Sequence, residues 1–411
     1  MQKPETGGNQ SLKKAQDAAQ QYLSWFKNHA LPFWLDKGVN PDTGASWEKL
    51  DPQGRPIHDS NYRLRVQARQ IFVYSFAAQK GWISQERAHA FVTNANKFIE
   101  QYGQHAQSAG YVHLLDSKLA QVDQKQDLYD HAFHILANIW QAKAFGGSEK
   151  LKKAKQLIGH LDTQFTGELG GFLEGDYQIQ YRRQNPHMHL FETFIAGAEL
   201  FQDTSFAARA GEMYQLFSAF FYDRKFGVLR EYFTDDWQVL PGNKGDIIEP
   251  GHMLEWSWLL LCYECLASKP LYQEARNLFE TAISLGQTEQ DLFYDEVDPA
   301  GEPIKHTKRS WAMTEYIKSS TRLYLHDHSL EDDRLFFADH IHRATHALME
   351  FYIAPADASP SGRGAYIDQI GEDMKPASRD AQASTLYHYA VAAAELENFL
   401  EQTRPAHTSD S

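Results

Sequence analysis

Two histidine–carboxylate pairs stand out in this chain: His189 with Glu192 and His252 with Glu255, each three residues apart. On a helix that spacing puts both side chains on one face. A carboxylate there can orient or charge the imidazole. A histidine near its ordinary pKa of about 6.5 is a suitable acid or base at neutral pH. The pairs lie in N-P-H-M-H-x-x-E (Asn185 to Glu192) and E-P-G-H-M-L-E-W (Glu249 to Trp256), and His388 follows Leu386 and Tyr387. Other polar groups gather at comparable points: Arg65 and Arg69; Asp127, Tyr129, Asp130 and His131; Arg309, Trp311 and Glu315. His187 and His189 are two apart and face different ways on a helix, a poor metal pair. The sequence carries no H-E-x-x-H, no Gly-rich phosphate loop and no G-x-S-x-G.

These residues need a scaffold that brings them to one place. A short signature recurs, a turn residue followed by an aromatic or aliphatic pair and alternating polar residues. It starts at 44, 110, 171, 227, 293 and 364, as in Gly44-Ala45-Ser46-Trp47-Glu48 and Gly227-Val228-Leu229-Arg230-Glu231. Its period-two alternation predicts short strands or hairpins. Between signatures the apolar pattern predicts two helices each time, over 11–30, 65–80, 84–104, 127–145, 148–164, 187–202, 204–220, 252–267, 270–286, 309–325, 330–353 and 381–400. Helix pairs that cannot bury a face alone must stack. A closed ring of six hairpins, an all-α (α/α)6 barrel, satisfies every pair without capping repeats. It forms one catalytic domain over 1–411, with short β-hairpins in the loops at the active-site end. The polar groups begin every second helix, as a shared central pocket requires. Tryptophan and tyrosine in that layer can stack on a sugar ring, while Arg, Asn and Gln bond hydroxyls.

Composition limits the partners. The formal charge of -14 disfavours nucleic acid and anionic membranes. No apolar run reaches the length of a membrane span. Met1 to Gln10 lacks the apolar core of a signal peptide, so cytoplasm is the expected compartment. That segment and the polar run 404–411 read as flexible tails. Cys262 and Cys265 fall inside an apolar helix and read as two buried cysteines, not a redox pair. Gly242 to Asp246 reads as a mobile loop, a candidate lid, and Pro355 to Gly364 as a second loop.

On these motifs the chain resembles the N-acylglucosamine 2-epimerase family from about residue 15 to 400. The carriers are R-V-Q-A-R-Q (Arg65 to Gln70), N-P-H-M-H with Glu192, E-P-G-H-x-x-E-W and the late Leu386-Tyr387-His388. It looks most like the D-mannose isomerase branch and is also similar to sequences described as mannose-6-phosphate isomerases. The resemblance implies an (α/α)6 barrel, two catalytic histidines matching His252 and His388, and no metal or cofactor. It places Arg69, His189 and Glu255 in the substrate pocket, with Trp311, Tyr111 and Asn185 as weaker matches. The implied reaction interconverts D-mannose and D-fructose, with D-lyxose and D-xylulose as further substrates. Ring opening precedes a cis-enediol proton transfer between C2 and C1, with His388 as the shuttle and His252 assisting. The partner is a monosaccharide, and the chain is a monomer or homodimer.

A sugar 2-epimerase acting on mannose, cellobiose or N-acetylglucosamine uses the same two histidines. An (α/α)6 glycoside hydrolase would need two opposed carboxylates, for which Asp127, Asp130, Glu174 and Glu255 are available. A non-catalytic binding protein has no need of several pocket histidines. A phosphorylated substrate would call on Arg65, Arg182 and Arg183, but the acidic chain favours the free sugar.

Overall fold

Every residue from Pro250 to Tyr263 is buried. A helix wrapped on all sides belongs inside a larger core. By contrast, the helix Tyr272–Gly286 buries Tyr272, Ala275, Leu278, Phe279, Ala282 and Gly286, steps of three and four that mark one face. This alternation of enclosed and one-sided helices runs through the whole computed structural model, which describes residues 7–353 and 362–404.

The helices are α1 (Gly7–Trp25), its short continuation α2 (Leu31–Lys37), α3 (Leu64–Gln79), α4 (Gln85–Phe98), α5 (Leu128–Phe145), α6 (Ser148–Gln164), α7 (Gln184–Phe201), α8 (Thr204–Leu216), α9 (Pro250–Ala267), α10 (Tyr272–Gly286), α11 (Ser310–Leu325), α12 (Glu331–Phe351) and α13 (Leu386–Thr403). Helices α3, α5, α7, α9, α11 and α13 each pack on the next, and α13 returns to α3, closing an inner ring. Outside it lie α4, α6, α8, α10 and α12, each against its hairpin partner, with α1 packed on both α12 and α13. The predicted (α/α)6 barrel is therefore the fold.

Most boundaries fall within a few residues of the sequence expectation, and the exceptions have local causes. The first helix passes through a π turn (Phe26–Ala30) into α2, where Pro32 sits in the first turn and its missing N–H costs nothing. Helix α7 starts at Gln184 and not 187, because Pro186 is likewise tolerated in a first turn. Residues 381–382 form a strand, a 3-10 turn follows over Ala383–Thr385, and α13 begins only at Leu386. Cys262 is buried, but Cys265 is exposed in the last turn of α9, contrary to the paired burial expected. Residues 7–10 of the anticipated first tail belong to α1, which shortens that tail; 1–6, 405–411 and most of the loop anticipated at Pro355 to Gly364 lie outside the described residues.

The strands are two or three residues long. Local hairpins exist, such as Glu296–Val297 with Pro303–Lys305. Most, however, stitch one inter-helix loop to another: Tyr62–Arg63 with Leu114–Leu115, Arg182–Arg183 with Tyr232–Phe233, Lys308–Arg309 with Gln369–Ile370, and Lys49–Leu50 with Ala381–Gln382. The acid of the repeated signature explains part of this order. Glu48 accepts from the backbone N–H and the guanidinium of Arg63, the residue that caps α3. Glu174 does the same for Arg183 before α7, and Asp295 accepts from the N–H of Arg309 before α11. In these three repeats the acid fixes how the chain enters the next inner helix.

Candidate active site

The first turns of the inner helices open into one cavity of about 220 Å³. Its walls include Arg69 from α3, Tyr129 from α5, Asn185 and His189 from α7, His252 and Glu255 from α9, Trp311 from α11, and His388 from α13. Seven of the eight residues predicted for the site thus meet here. The eighth, Tyr111, does not. It is buried against His134, ring centroids 4.2 Å apart, and lines a separate cleft beside α6. The signature residue that leads into α5 points outward, because its ring fills the gap between α5 and the outer helices.

The two histidines share an indole. The rings of His252 and His388 tilt against Trp311 at centroid distances of 5.1 and 5.7 Å. Each fixes its Nδ1 on a carboxylate, so each presents Nε2 as its working atom. The partners differ from the sequence expectation. His252 Nδ1 lies 3.0 Å from Glu231 Oε2 and 3.5 Å from Glu249 Oε2, and its three-residue neighbour Glu255 is turned away. Glu255 approaches His189 instead, at 3.9 Å. The His189–Glu192 pair forms as predicted, at 3.3 Å. His388 Nδ1 lies 2.9 Å from Glu315 Oε1.

Glu231 is the residue the motif search missed, although it ends the signature of its own repeat. Its counterparts Glu48 and Glu174 bind the arginine that caps the next inner helix. Here the capping residue is Glu249, which offers no guanidinium, and Glu231 is free to bond Gln184 Nε2 at 2.9 Å and His252. A structural acid in three repeats has become a histidine partner in the fourth. Reading the signature by register, and asking which copy lacks a capping job, would have found it.

These surroundings give the two histidines opposite charge states. Burial works against a charge on His252, but Glu231 and Glu249 outweigh it and hold the imidazolium up to about 10. Burial pushes His388 well below the usual imidazole range, and the charges of Arg69 and Lys318 add to that. Burial likewise lowers His189 to about 4. At neutral pH these shifts favour a protonated His252 and a neutral His388. The amide of Asn185 lies 3.2 Å from His252 Nε2, with its Oδ1 otherwise buried and unpartnered among the described residues. Rotating that amide lets the imidazolium donate to Oδ1 and satisfies both groups.

Other groups are poised for hydroxyls. Burial, with Glu315 nearby, pushes the Glu255 carboxyl well above its usual range, and neither of its oxygens has a partner among the described residues. Arg69 donates to Tyr129 Oη at 2.6 Å and to the Ser384 carbonyl at 3.1 Å, leaving Nε without a partner among the described residues. The phosphate candidates are already occupied. Arg65 pairs with Asp130, Arg183 with Glu174, and buried Arg182 donates to the carbonyls of Gly170, Phe172 and Asp235. His187 is a core residue, its ring bonded to the backbone of Phe172 and Arg183. The turn expected as a lid is tethered at the rim: Lys244 Nζ sits 3.9 Å over Tyr181 and 4.7 Å over cavity-lining Tyr232.

Among the described residues, imidazole and carboxylate atoms come within 4.8 Å of one another in three clusters, around His189, His252 and His388. In the second the imidazolium supplies the positive charge. In the third the ammonium of Lys318 does so, 2.5 Å from Glu315.

Gly251 permits this packing. A Cβ there would lie 2.5 Å from Trp311 Cη2 and 2.7 Å from Cζ3. Gly251→Ala is expected to push the indole off both histidines and lower kcat/KM by about 10- to 100-fold, with the melting temperature little changed. Steady-state kinetics beside a thermal melt would separate the two effects.

The family model described as N-acylglucosamine 2-epimerase (GlcNAc 2-epimerase) matches residues 44–392. The chain is 33% identical over 390 residues to a mannose-6-phosphate isomerase of Rhizobium meliloti (strain 1021), covering 93% of this chain and 98% of that one. It is 25% identical over 332 residues to a D-mannose isomerase of Thermobifida fusca, covering 73% and 80%. Among solved structures, a cellobiose 2-epimerase from Bacillus thermoamylovorans B4167 superposes with TM-score 0.80 at 20% identity, over 94% of this chain and 99% of that one. A D-mannose isomerase superposes with TM-score 0.79 at 20% identity, over 92% and 97%. A GH76 α-mannanase of Bacteroides thetaiotaomicron shares the barrel, with TM-score 0.63 at 13% identity over 92% and 97%. The chain belongs to the N-acylglucosamine 2-epimerase family and is a sugar isomerase or epimerase.

Proposed function

We propose that this enzyme interconverts D-mannose and D-fructose, with His388 as the base and His252 as the acid. The observation that carries this reading is a pair of imidazoles held against one tryptophan, His252 beside two carboxylates and His388 on a carboxylate already paired with Lys318. Isomerisation needs one base, which moves a proton from C2 to C1, and one acid for the oxygens. His252 first assists ring opening by giving its proton to the ring oxygen and taking one back from the O1 hydroxyl. His388 Nε2 then removes the C2 proton while His252 gives a proton to O1, forming the cis-enediol. Return of the carbon proton to C1 and loss of the O2 proton to His252 complete the ketose. The unpartnered Nε of Arg69 is available to the developing oxyanion.

Two further features favour a free monosaccharide. The cavity of about 220 Å³ lies below the range of about 300–1,000 Å³ usual for larger ligands. The arginines anticipated for a phosphate already have carboxylate or carbonyl partners. A 2-epimerase is the second reading, since two histidines in one cavity can serve opposite faces of C2. Incubation with D-mannose, and separately with mannose 6-phosphate, followed by chromatography, tests all three. Fructose from the free sugar is expected. Glucose would replace isomerase by epimerase, and turnover of the phosphate ester alone would overturn the substrate assignment.

A further inference from the structure

Lys318 is wholly buried on α11, one turn beyond Glu315, and does not line the cavity. Its Nζ lies 2.5 Å from Glu315 Oε2 and 3.8 Å over the ring of Trp258. Glu255 on α9 and Glu192 on α7 also face it and favour its charge. An ammonium sealed from water persists only beside such partners, and a hydrocarbon side chain would fill the same space without that demand. Glu315 passes the effect on, because its other oxygen is the one that meets His388 Nδ1 at 2.9 Å.

We propose that Lys318 is a positioning residue that selects the tautomer of His388 by keeping Glu315 a carboxylate. A carboxylate only accepts hydrogen bonds, so the neutral ring facing it must carry its proton on Nδ1. Nε2 is then a bare lone pair toward the cavity. Burial alone favours the acid form of Glu315, and Lys318 opposes it. Without the ammonium, Glu315 takes up a proton and donates it to Nδ1. The ring proton moves to Nε2, and the base is lost although no group has left the cavity wall.

The inference rests on His388 being the base of the proposed reaction, and the test separates the two. In protein labelled with 15N-histidine, the His388 nitrogens are identified by their loss in His388→Asn. In the wild type Nδ1 is protonated and Nε2 bare; in Lys318→Met the assignment reverses. An unchanged tautomer in Lys318→Met overturns the proposal. Reversal without loss of sugar turnover leaves the role of Lys318 standing and removes His388 as base. On activity, Lys318→Met should lower kcat about 100-fold or more with KM within about threefold. Glu315→Gln should lose a similar amount, because its amide carbonyl turns to the Lys318 ammonium and its NH2 then donates to Nδ1. The double variant should be at most about threefold poorer than Glu315→Gln, because there is no longer a carboxylate to hold ionised. A merely structural lysine would instead multiply the two losses. Should Lys318→Met fail to fold, with its buried carboxylate unpaired, comparing Glu315→Gln with the double variant still decides, and a double at least 30-fold poorer than Glu315→Gln overturns the proposal.

Discussion

Replacing His388 by asparagine should lower kcat by about 10²–10⁴-fold, the range that a positioned acid or base contributes. The C2 proton of the sugar should cease to exchange with solvent or appear at C1. Asparagine keeps a polar side chain beside Glu315, so the buried carboxylate is not left facing hydrocarbon. The predicted loss is therefore chemical, and KM should change little, because Arg69, His189 and Glu255 still line the cavity. Following deuterium at C1 and C2 by NMR reads the step directly. Wild-type exchange in the variant would move the base elsewhere, and His189 would be the next group to test.

The second large effect concerns pH. His252 must carry a proton to act as the acid, and it is held up to about 10 by Glu231 and Glu249 against the effect of burial. His388 must lack one, and it loses its proton well below the usual imidazole range. Activity should therefore form a broad plateau across neutral pH. The acid limb follows protonation of His388, and the alkaline limb follows deprotonation of His252 near pH 10. Glu231→Gln removes the strongest opposite charge on His252. Its alkaline limb should fall by about 1–3 units, the size of one close charge, while the acid limb stays in place. At pH 9 the variant should lose about 2- to 80-fold relative to its own activity at pH 6.5, according to how far the limb falls. A kcat profile corrected for uncatalysed sugar rearrangement checks this. An unmoved alkaline limb would mean that Glu231 does not charge His252.

The barrel was legible because its repeats are written in two independent ways. Apolar spacing such as Ala275, Leu278, Phe279 and Ala282 marks an outer helix, and a signature recurs at each inter-helix loop. Register then put Arg69, His189, His252, Trp311 and His388 at equivalent depths, and those residues do meet. What spacing could not reveal is which carboxylate each histidine takes. Glu255 is three residues from His252 on the same helix, yet the ring turns to Glu231, which arrives from a loop. The i, i+3 rule places two side chains on one face and leaves their rotamers free. Tyr111 failed for a related reason. Its signature aligns with the others, but its ring fills space at the barrel wall. Lys318 had no sequence signal at all, since a lone lysine in a helix normally marks a solvated face.

The pairing of Lys49–Leu50 with Ala381–Gln382 joins the first loop to the last, and Arg69 reaches Ser384 across a separation of 315 residues. A ribosome makes this chain from one end. Until α13 emerges, the inner ring is an open arc, Arg69 lacks the Ser384 carbonyl that holds it, and the cavity lacks His388. The wall that closes the ring is made after the other five. Contacts so distant along the chain form late and slowly, so activity is expected only once α13 has been made and has docked between α11 and α3.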